Sequence, residues 1–464
     1  MNNIKNTNKL HNIKDIKKNI NKIGKTGKIE KTGKTEETEE TGKIEETGKI
    51  EIYPSVLIII IIVGFPLFSE TVYTPSLPSI ALYFKSSASM AENTLGFYLV
   101  GFALGTAIWG NLSDYIGRKK SLLIGLMIYI ISCLGCYFSS TIEILIIARF
   151  FQAFGGSSGS VLGQVICRDS FSGKKLGYVF SAIGTAISIF PAIGPLFGGF
   201  VVEHTHWNNI FICLLIICII IMILSLIKLP ETNKNIYFNN KSNISDIYLK
   251  NFYAIISSFK YIFSNKQTIC CIIIVSLTQG MGFSYFGEAP FIFIKNLNFS
   301  PSQYGITFTI ISAAGIIGGV INKKLQESVV PHKIIMYGSL LCFMGNTFFL
   351  IASYLHESLN IISIHEMALL CIISQIITRI GTSFLMINAL MLSLYGYNQN
   401  IGTASSIFSL ITYCFTSCIT FGMSILHNGM SITMPLYFII LLTIIIIISV
   451  FLLKIMNKYY NIID

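Results

Sequence analysis

Long apolar runs alternate with short polar segments along most of this chain. Twelve runs reach about 18 residues or more, the length at which a helix crosses the roughly 30 Å hydrocarbon core of a bilayer. These runs lie at residues 54–74, 92–110, 121–139, 142–165, 176–200, 208–229, 267–294, 303–321, 333–355, 367–394, 403–425 and 432–454. The pattern therefore predicts an all-α membrane protein with twelve transmembrane helices.

Composition and charge agree with a membrane protein whose two termini share one side. The chain is 53% hydrophobic and 12% charged, which is too apolar for a soluble domain. Of the 33 Lys and Arg residues, 12 precede residue 53, 17 fall in loops on one side of a twelve-span topology, and only Lys85 and Lys295 fall on the other. Cytoplasmic loops carry the excess of basic residues. Both termini are thus predicted to be cytosolic, and the net charge of +11 reflects topology and not nucleic-acid binding.

Two long polar segments divide the chain. Residues 1–52 repeat a short unit of alternating charge, such as Thr-Gly-Lys-Ile-Glu at 26–30, and contain no aromatic residue. Such a segment cannot bury enough apolar surface to fold. Residues 230–266 separate six runs from six, and residues 246–263 within them have an amphipathic pattern suited to a membrane surface. The predicted units are a disordered tail (1–52), a six-helix bundle (53–229), a cytosolic linker (230–266), a second six-helix bundle (267–454) and a cytosolic tail (455–464).

The sequence contains no motif that indicates an enzyme. No nucleotide-binding loop, metal-ligand cluster or nucleophile–base arrangement is recognisable. The 11 Cys residues lie mostly inside apolar runs, where Cys behaves as a small hydrophobe. Cys133 and Cys136 have the spacing of a redox motif but lie within a predicted span. We therefore expect a protein that is not an enzyme and that uses no metal and no cofactor.

Four charged residues lie inside predicted spans at matching positions of the two halves. Glu70 and Glu288 each follow an aromatic and a small residue in the first and seventh spans, and a Pro follows each of them. Arg149 and Arg379 follow similar apolar residues in the fourth and tenth spans. This correspondence predicts a parallel duplication, with two pseudo-symmetric bundles related about the membrane normal.

These four residues are the candidates for proton coupling. A charge in hydrocarbon costs roughly 2.5–3.5 kcal/mol on insertion scales, so such residues face a cavity or a partner. We expect Glu70 to be a protonatable site near Arg149, because a guanidinium favours the ionised carboxylate until the environment changes. The alternative is a hydrated, interfacial Glu70. Nine further residues at predicted outer edges are expected to be hydrated: Glu143, Glu203, Glu357, Glu366, His204, His206, His356, His365 and His427.

The charged turn between the second and third spans resembles motif A of the major facilitator superfamily. It carries Gly110, Asp114, Gly117, Arg118 and Lys119 in the spacing of that motif. The resemblance implies a cytosolic gate loop in which the Asp and the Arg form a charge relay. A copy at residues 318–324, between the eighth and ninth spans, lacks the Asp.

Two further stretches resemble motifs of the same superfamily. The segment 149–156, which begins with Arg149, is similar to motif B, whose Arg is tied to proton coupling. The fifth span is similar to motif C, the antiporter motif, and carries Phe190 where the general motif has a Gly. That departure and the following Pro resemble the Bcr/CflA (bicyclomycin-resistance-type) drug:proton antiporters. The residues that match motif C are Pro191, Gly194, Pro195, Gly198 and Gly199.

The resemblance covers residues from about 55 to 455. It implies the major facilitator fold in a bacterial inner membrane and the export of small drug-like molecules in exchange for protons, so that the proton gradient stands in place of a cofactor. The implied partners are the substrate, protons and the bilayer, with the monomer as the functional unit. The alternatives are an importer or metabolite exporter of the same superfamily and a non-transporting membrane sensor or scaffold.

Overall fold

The computed structural model describes residues 54–233, 259–260, 262–393 and 401–460. The predicted tail at 1–52 and most of the predicted linker, including its amphipathic stretch up to residue 258, lie outside the described residues. Within the described part, twelve helices are long and apolar enough to cross a membrane, which confirms the predicted fold class. We name them α1 (Val56–Tyr83), α2 (Ala88–Ile116), α3 (Arg118–Tyr137), α4 (Ile142–Ser170), α5 (Gly173–His204), α6 (Asn209–Lys228), α7 (Lys266–Asn296), α8 (Pro301–Leu325), α9 (Pro331–Glu357), α10 (Ile364–Ser393), α11 (Ile401–Leu426) and α12 (Thr433–Tyr460).

Several helices begin before the apolar runs because polar residues cap them. The Ser87 side chain accepts a hydrogen bond from the backbone N–H of Met90, so α2 starts four residues before the predicted 92. Ser300 and Gln303 form a reciprocal capping box at the start of α8. These bonds satisfy N–H groups that have no partner inside the helix, which extends each helix into polar sequence.

Helix α1 is interrupted near its end by a 3-10 turn at Thr74–Ser76. Pro75 lies in this turn and removes a backbone donor. The hydroxyl of Thr74 donates to the carbonyl of Thr71 at 3.0 Å, and that of Ser76 donates to the carbonyl of Tyr73. Glu70 lies just before this interruption, in the regular part of the helix that ends at Val72.

The helix contacts repeat between the two halves. In the first half, α1 packs on α4 and α5, α2 packs on α4, and α3 packs on α4 and α6. In the second half the equivalent helices make the same contacts: α7 packs on α10 and α11, α8 packs on α10, and α9 packs on α10 and α12. Two seams join the bundles, α2 against α11 and α5 against α8. The structure therefore has the pseudo-symmetric two-bundle architecture that the paired charges predict.

The α2–α11 seam is closed at one end of the molecule and opens onto a cavity at the other. Along α2 and α11, contacts run from the pair Ser89–Ser424 to the rings of Phe102 and Tyr413, whose centroids lie 5.0 Å apart. Beyond this ring pair the two helices line a cavity. We call the closed end the His427 end and the open end the Arg118 end.

Candidate functional site

The cavity between the bundles has a volume of about 500 Å³, which lies within the range of pockets that hold drug-sized molecules. Its wall mixes apolar, hydroxyl, amide and charged side chains, mainly from α2, α4 and α11. The lining includes Phe102, Thr106, Gly110, Asn111, Asp114, Arg118, Gln164, Arg168, Phe259, Ser405, Leu410 and Tyr413. Three of the residues predicted for the gate loop, Gly110, Asp114 and Arg118, thus line the cavity.

The turn between α2 and α3 fixes the position of Arg118. Gly117 has φ = 102°, a conformation that side chains disfavour, so the chain reverses direction at this residue. The Arg118 guanidinium donates to the Asp114 carboxylate and to Asp169 Oδ2 of α4 at 3.1 Å. It also donates to Ser113 Oγ at 2.6 Å. The charge relay therefore joins α2, α3 and α4 of one bundle, and Asp169 is a member that the motif did not identify.

Glu231 caps the start of α3 from beyond the last helix of the first bundle. Its carboxylate accepts from the backbone N–H groups of Arg118 at 2.9 Å and Lys119 at 3.2 Å. A carboxylate at a helix N-terminus satisfies unpaired donors and complements the helix dipole. The Lys119 ammonium donates to the carbonyl of Leu226. The loop is therefore bonded to the end of α6 as well as to α2 and α4.

The matching turn of the second half carries a neutral network. Asn322 lies four residues after Gly318, as Asp114 lies four residues after Gly110. Asn388 of α10 donates to Asn322 Oδ1 at 2.6 Å and accepts from Gln326 at 2.9 Å. Amide hydrogen bonds thus join α8 to α10 where ionic bonds join α2 to α4.

Arg149 is fully buried between two aromatic rings. Its guanidinium carbon lies 4.3 Å from the centroid of Tyr73 and 4.2 Å from that of Tyr98. Nη1 donates to Gln152 Oε1 at 2.6 Å, whereas Nε and Nη2 have no hydrogen-bond partner among the described residues. Cation–π contacts take the place of these bonds.

Glu70 is also buried, which removes the hydrated alternative. The Arg149 charge acts on its carboxyl group, although in the described part of the chain the two groups form no ion pair. The hydroxyl groups of Tyr98 and Tyr413 lie close enough to the Glu70 carboxyl to interact with it electrostatically. Tyr413 also lines the cavity. The structure therefore places Glu70 and Arg149 in one buried tyrosine-rich cluster that reaches the cavity through Tyr413.

The second pair of predicted charges is arranged differently. Arg379 lies in a small separate pocket with Tyr285, Phe308 and Gln375. Glu288 instead accepts a hydrogen bond from His427 Nδ1 at 2.7 Å, at the far end of the molecule. The structure does not bring Glu288 and Arg379 together, so the duplication of sequence positions does not extend to their contacts.

His427 joins the two bundles at the closed end. Its Nδ1 lies 3.0 Å from Glu92 Oε1 of α2 and 2.7 Å from Glu288 Oε2 of α7. The three side chains are 8%, 2% and 1% exposed for His427, Glu92 and Glu288. The expectation of a hydrated His427 is therefore wrong, because the opposite bundle covers it. Burial lowers the pKa of His427, but the carboxylates of Glu288 and Glu92 beside its Nδ1 outweigh burial and raise it to about 10.

The candidate antiporter motif lies on α5 where this helix makes its closest approaches. A Cβ on Gly194 or Gly198 would collide with the backbone or side chain of Thr71 and Val72 in α1. A Cβ on Gly199 would collide with the Pro301 carbonyl of α8, in the other bundle. Pro191 and Pro195 lie within the same helix, and the Pro195 carbonyl meets α8 at Gly305. These small residues let backbones meet both within one bundle and across the seam.

Comparison with known proteins agrees with this architecture. The profile described as Major Facilitator Superfamily matches residues 59–421. An uncharacterized transporter of Rickettsia felis is 33% identical over 363 residues, covering 78% of this chain and 86% of the relative. A bicyclomycin resistance protein homolog of Haemophilus influenzae is 24% identical over 290 residues, covering 62% and 71%. The crystal structure of a D-xylose-proton symporter superposes with a TM-score of 0.68 at 16% identity, covering 86% of this chain and 96% of that one.

Proposed function

Because this chain belongs to the major facilitator superfamily of membrane transporters, we propose that it exports small drug-like molecules in exchange for protons. The chain is a multi-pass bacterial membrane protein. We place it in the inner membrane with both termini in the cytosol and assign transport to the monomer.

The distribution of basic residues supports this orientation. Arg118, Lys119, Arg168 and Lys323 lie at or near the Arg118 end of the molecule, whereas Lys295 lies near the His427 end. Basic loops face the cytosol. In this orientation the cavity opens to the cytosol and the conformation is inward-facing, which is the state that takes up a substrate for export.

The buried cluster of Glu70 and Arg149 beside the cavity is the observation that carries the proposal. Two tyrosine rings and Gln152 hold Arg149 in place, so its charge stays fixed while the cavity is loaded and emptied. The Glu70 carboxyl has no ion-pair partner in the described part of the chain and can take up or lose a proton as its surroundings change. A proton that enters from outside and binds Glu70 would be released to the cytosol when substrate enters the cavity.

The nature of the substrate rests on two observations. The cavity has the volume and the mixed apolar and polar wall that suit a drug-sized molecule. The Haemophilus influenzae relative is named for bicyclomycin resistance. We therefore assign bicyclomycin and other compact polar drugs as the first substrates to test.

A susceptibility panel in an efflux-deficient bacterial host tests the proposal. Expression of the wild-type chain should raise the inhibitory concentration of bicyclomycin or of another drug in the panel above that of the host with an empty vector. Glu70→Gln should abolish this protection without lowering the amount of protein in the membrane.

Glu366→Gln is the matched control, because Glu366 is exposed and, among the described residues, its carboxylate accepts hydrogen bonds from Ser363 alone. This variant should protect as well as the wild type. Full protection by Glu70→Gln would remove Glu70 from the mechanism, and no protection by the wild type against any drug would contradict export of drugs.

A further inference from the structure

Three potential metal ligands meet at the closed end of the molecule. Glu92, Glu288 and His427 each offer one ligand atom, and all three atoms lie within 4.8 Å of one another. They come from the start of α2, from α7 and from the residue that follows α11. The cluster is therefore assembled from both bundles and lies at the closed end of the α2–α11 seam, whereas the cavity lies at the other end.

Hydrogen bonding within the protein does not satisfy this cluster. One imidazole nitrogen, His427 Nδ1, faces both carboxylates, and it can donate only one proton. That bond goes to Glu288, and Glu92 Oε1 is left buried with no hydrogen-bond partner among the described residues. The two carboxyl groups lie beside one donor and beside each other, and burial makes any negative charge at this position costly. A bound cation would remove this cost.

The donor set and its spacing suit a transition metal. Zn²⁺ takes imidazole nitrogen and carboxylate oxygen at about 2.0–2.2 Å, in tetrahedral sites where water often fills the fourth position. Neighbouring ligand atoms around such an ion are then roughly 3.3 Å apart. The Nδ1–Oε distances of 2.7 and 3.0 Å are close to that value, so small side-chain rotations would admit the ion.

We propose that Glu92, Glu288 and His427 form a binding site for a divalent ion of the Zn²⁺ class, which is complete only while the His427 end is closed. The ion replaces the proton on Nδ1, and that proton passes to solvent. Because Glu92 belongs to one bundle and the other two ligands to the other, separation of the bundles at this end takes the site apart.

The surroundings of the site favour this arrangement. Gly287 of α7 lies against the Glu92 side chain, and a Cβ there would approach Glu92 Cγ to 3.4 Å. Ser424 of α11 is bonded to Ser89 and Asn93 of α2 one turn away. The seam thus holds the ligand-bearing ends together, and a bound ion would oppose their separation, so Zn²⁺ added from that side should inhibit transport.

Zinc binding by the purified full-length protein tests the proposal without a substrate. The metal-free protein in detergent is titrated with ZnCl₂ against a fluorescent zinc indicator. Wild-type protein should bind one ion per chain, and Glu92→Gln and His427→Ala should each weaken binding at least about tenfold through loss of a ligand. His365→Ala, at an exposed position at the start of α10, is the matched control and should bind as the wild type does.

Hydrogen exchange measured on the same samples tests whether the ion bridges the bundles. Zinc should slow exchange at residues 88–95 and 285–296 in the wild type, and should protect neither segment in Glu92→Gln. Glu92→Gln keeps the size of the side chain, so it serves if His427→Ala does not fold. Unchanged zinc affinity in Glu92→Gln, as expected if cysteines bind the metal, would overturn the proposal, and so would the absence of zinc binding by the wild type.

Discussion

Arg149 keeps its charge inside the first bundle by stacking between Tyr73 and Tyr98. The flat guanidinium can lie against two ring faces and still donate to Gln152, whereas an ammonium group is compact and strongly hydrated. The contacts at this position therefore require the planar guanidinium of Arg as well as its positive charge.

Arg149→Lys should lower the stability of the protein and abolish proton coupling. We expect a loss of roughly 1–2 kcal/mol of stability from the two cation–π contacts, together with the loss of proton coupling. Unfolding in mixed detergent and drug susceptibility measure the two effects. The wild-type protein is the reference for both measurements. If Arg149→Lys were as stable and as active as the wild type, the stacked arrangement would have no role.

At this scale, sequence reasoning identified Glu70 with Arg149 and Asp114 with Arg118, but it missed the contacts of Glu92. Glu70 and Arg149 stand out because each is a charge within an apolar run. Glu92 did not stand out, because it lies at the first position of a predicted span beside polar sequence, where a carboxylate is normally hydrated. It is buried against His427 and Gly287, which are distant in sequence and belong to the other bundle. Contacts of this kind leave no local pattern.

Among the helices, α5 does the most to set the conformation. Gly194 and Gly198 let it pack on α1 in its own bundle, and Gly199 lets it meet α8 in the other bundle. The contact of Gly199 with α8 lies across the seam between the bundles. We therefore expect Gly194 and Gly198 to hold one bundle together, and Gly199 to stabilise the conformation in which the His427 end is closed.

Gly199→Ala should disfavour the closed His427 end. Its Cβ would collide with the Pro301 carbonyl, and overpacking of this kind costs roughly 1–3 kcal/mol. Hydrogen exchange at the start of α2 should therefore become faster, with little change in overall folding. Gly184→Ala provides the comparison, because a Cβ there meets nothing within 4 Å. Equal exchange in the two variants would show that Gly199 does not select the state.

The existence and order of the helices could be predicted because each apolar run is long enough to cross a membrane. Their ends could not, since Ser87 and Ser300 extend α2 and α8 through side-chain caps. The break in α1 at Thr74–Ser76 also escaped prediction as a break, although Pro75 marks its position.

For the whole molecule, two matched bundles meet along two seams, and the α2–α11 seam is closed at the His427 end and opens onto the cavity at the Arg118 end. The repeat could be predicted from Glu70 with Glu288 and Arg149 with Arg379, but the contacts of these pairs diverge: Glu70 and Arg149 share a cluster, whereas Glu288 and Arg379 do not. The repeat in the sequence predicts the helix and the position of each charged side chain, but the contacts between the two bundles, which differ between the halves, determine its partners.

A disulfide across the α2–α11 seam should hold the molecule in this state. The hydroxyl oxygens of Ser89 and Ser424 lie 3.0 Å apart, so cysteines at both positions are within reach of a disulfide. The double variant Ser89→Cys, Ser424→Cys should lose transport on oxidation and recover it on reduction, as followed by drug efflux from loaded cells. Each single variant should be insensitive to the oxidant. Full transport by the cross-linked protein would show that this seam does not open.

Proton exchange is the central claim, and everted membrane vesicles test it most directly. Respiration acidifies the vesicle lumen, which corresponds to the outside of the cell, and a pH-sensitive dye reports the gradient. Bicyclomycin added to the medium should release protons from the lumen in vesicles that carry the wild-type protein, and should release none in vesicles that carry Glu70→Gln. Further acidification of the lumen, or an equal response in the two kinds of vesicle, would contradict the account.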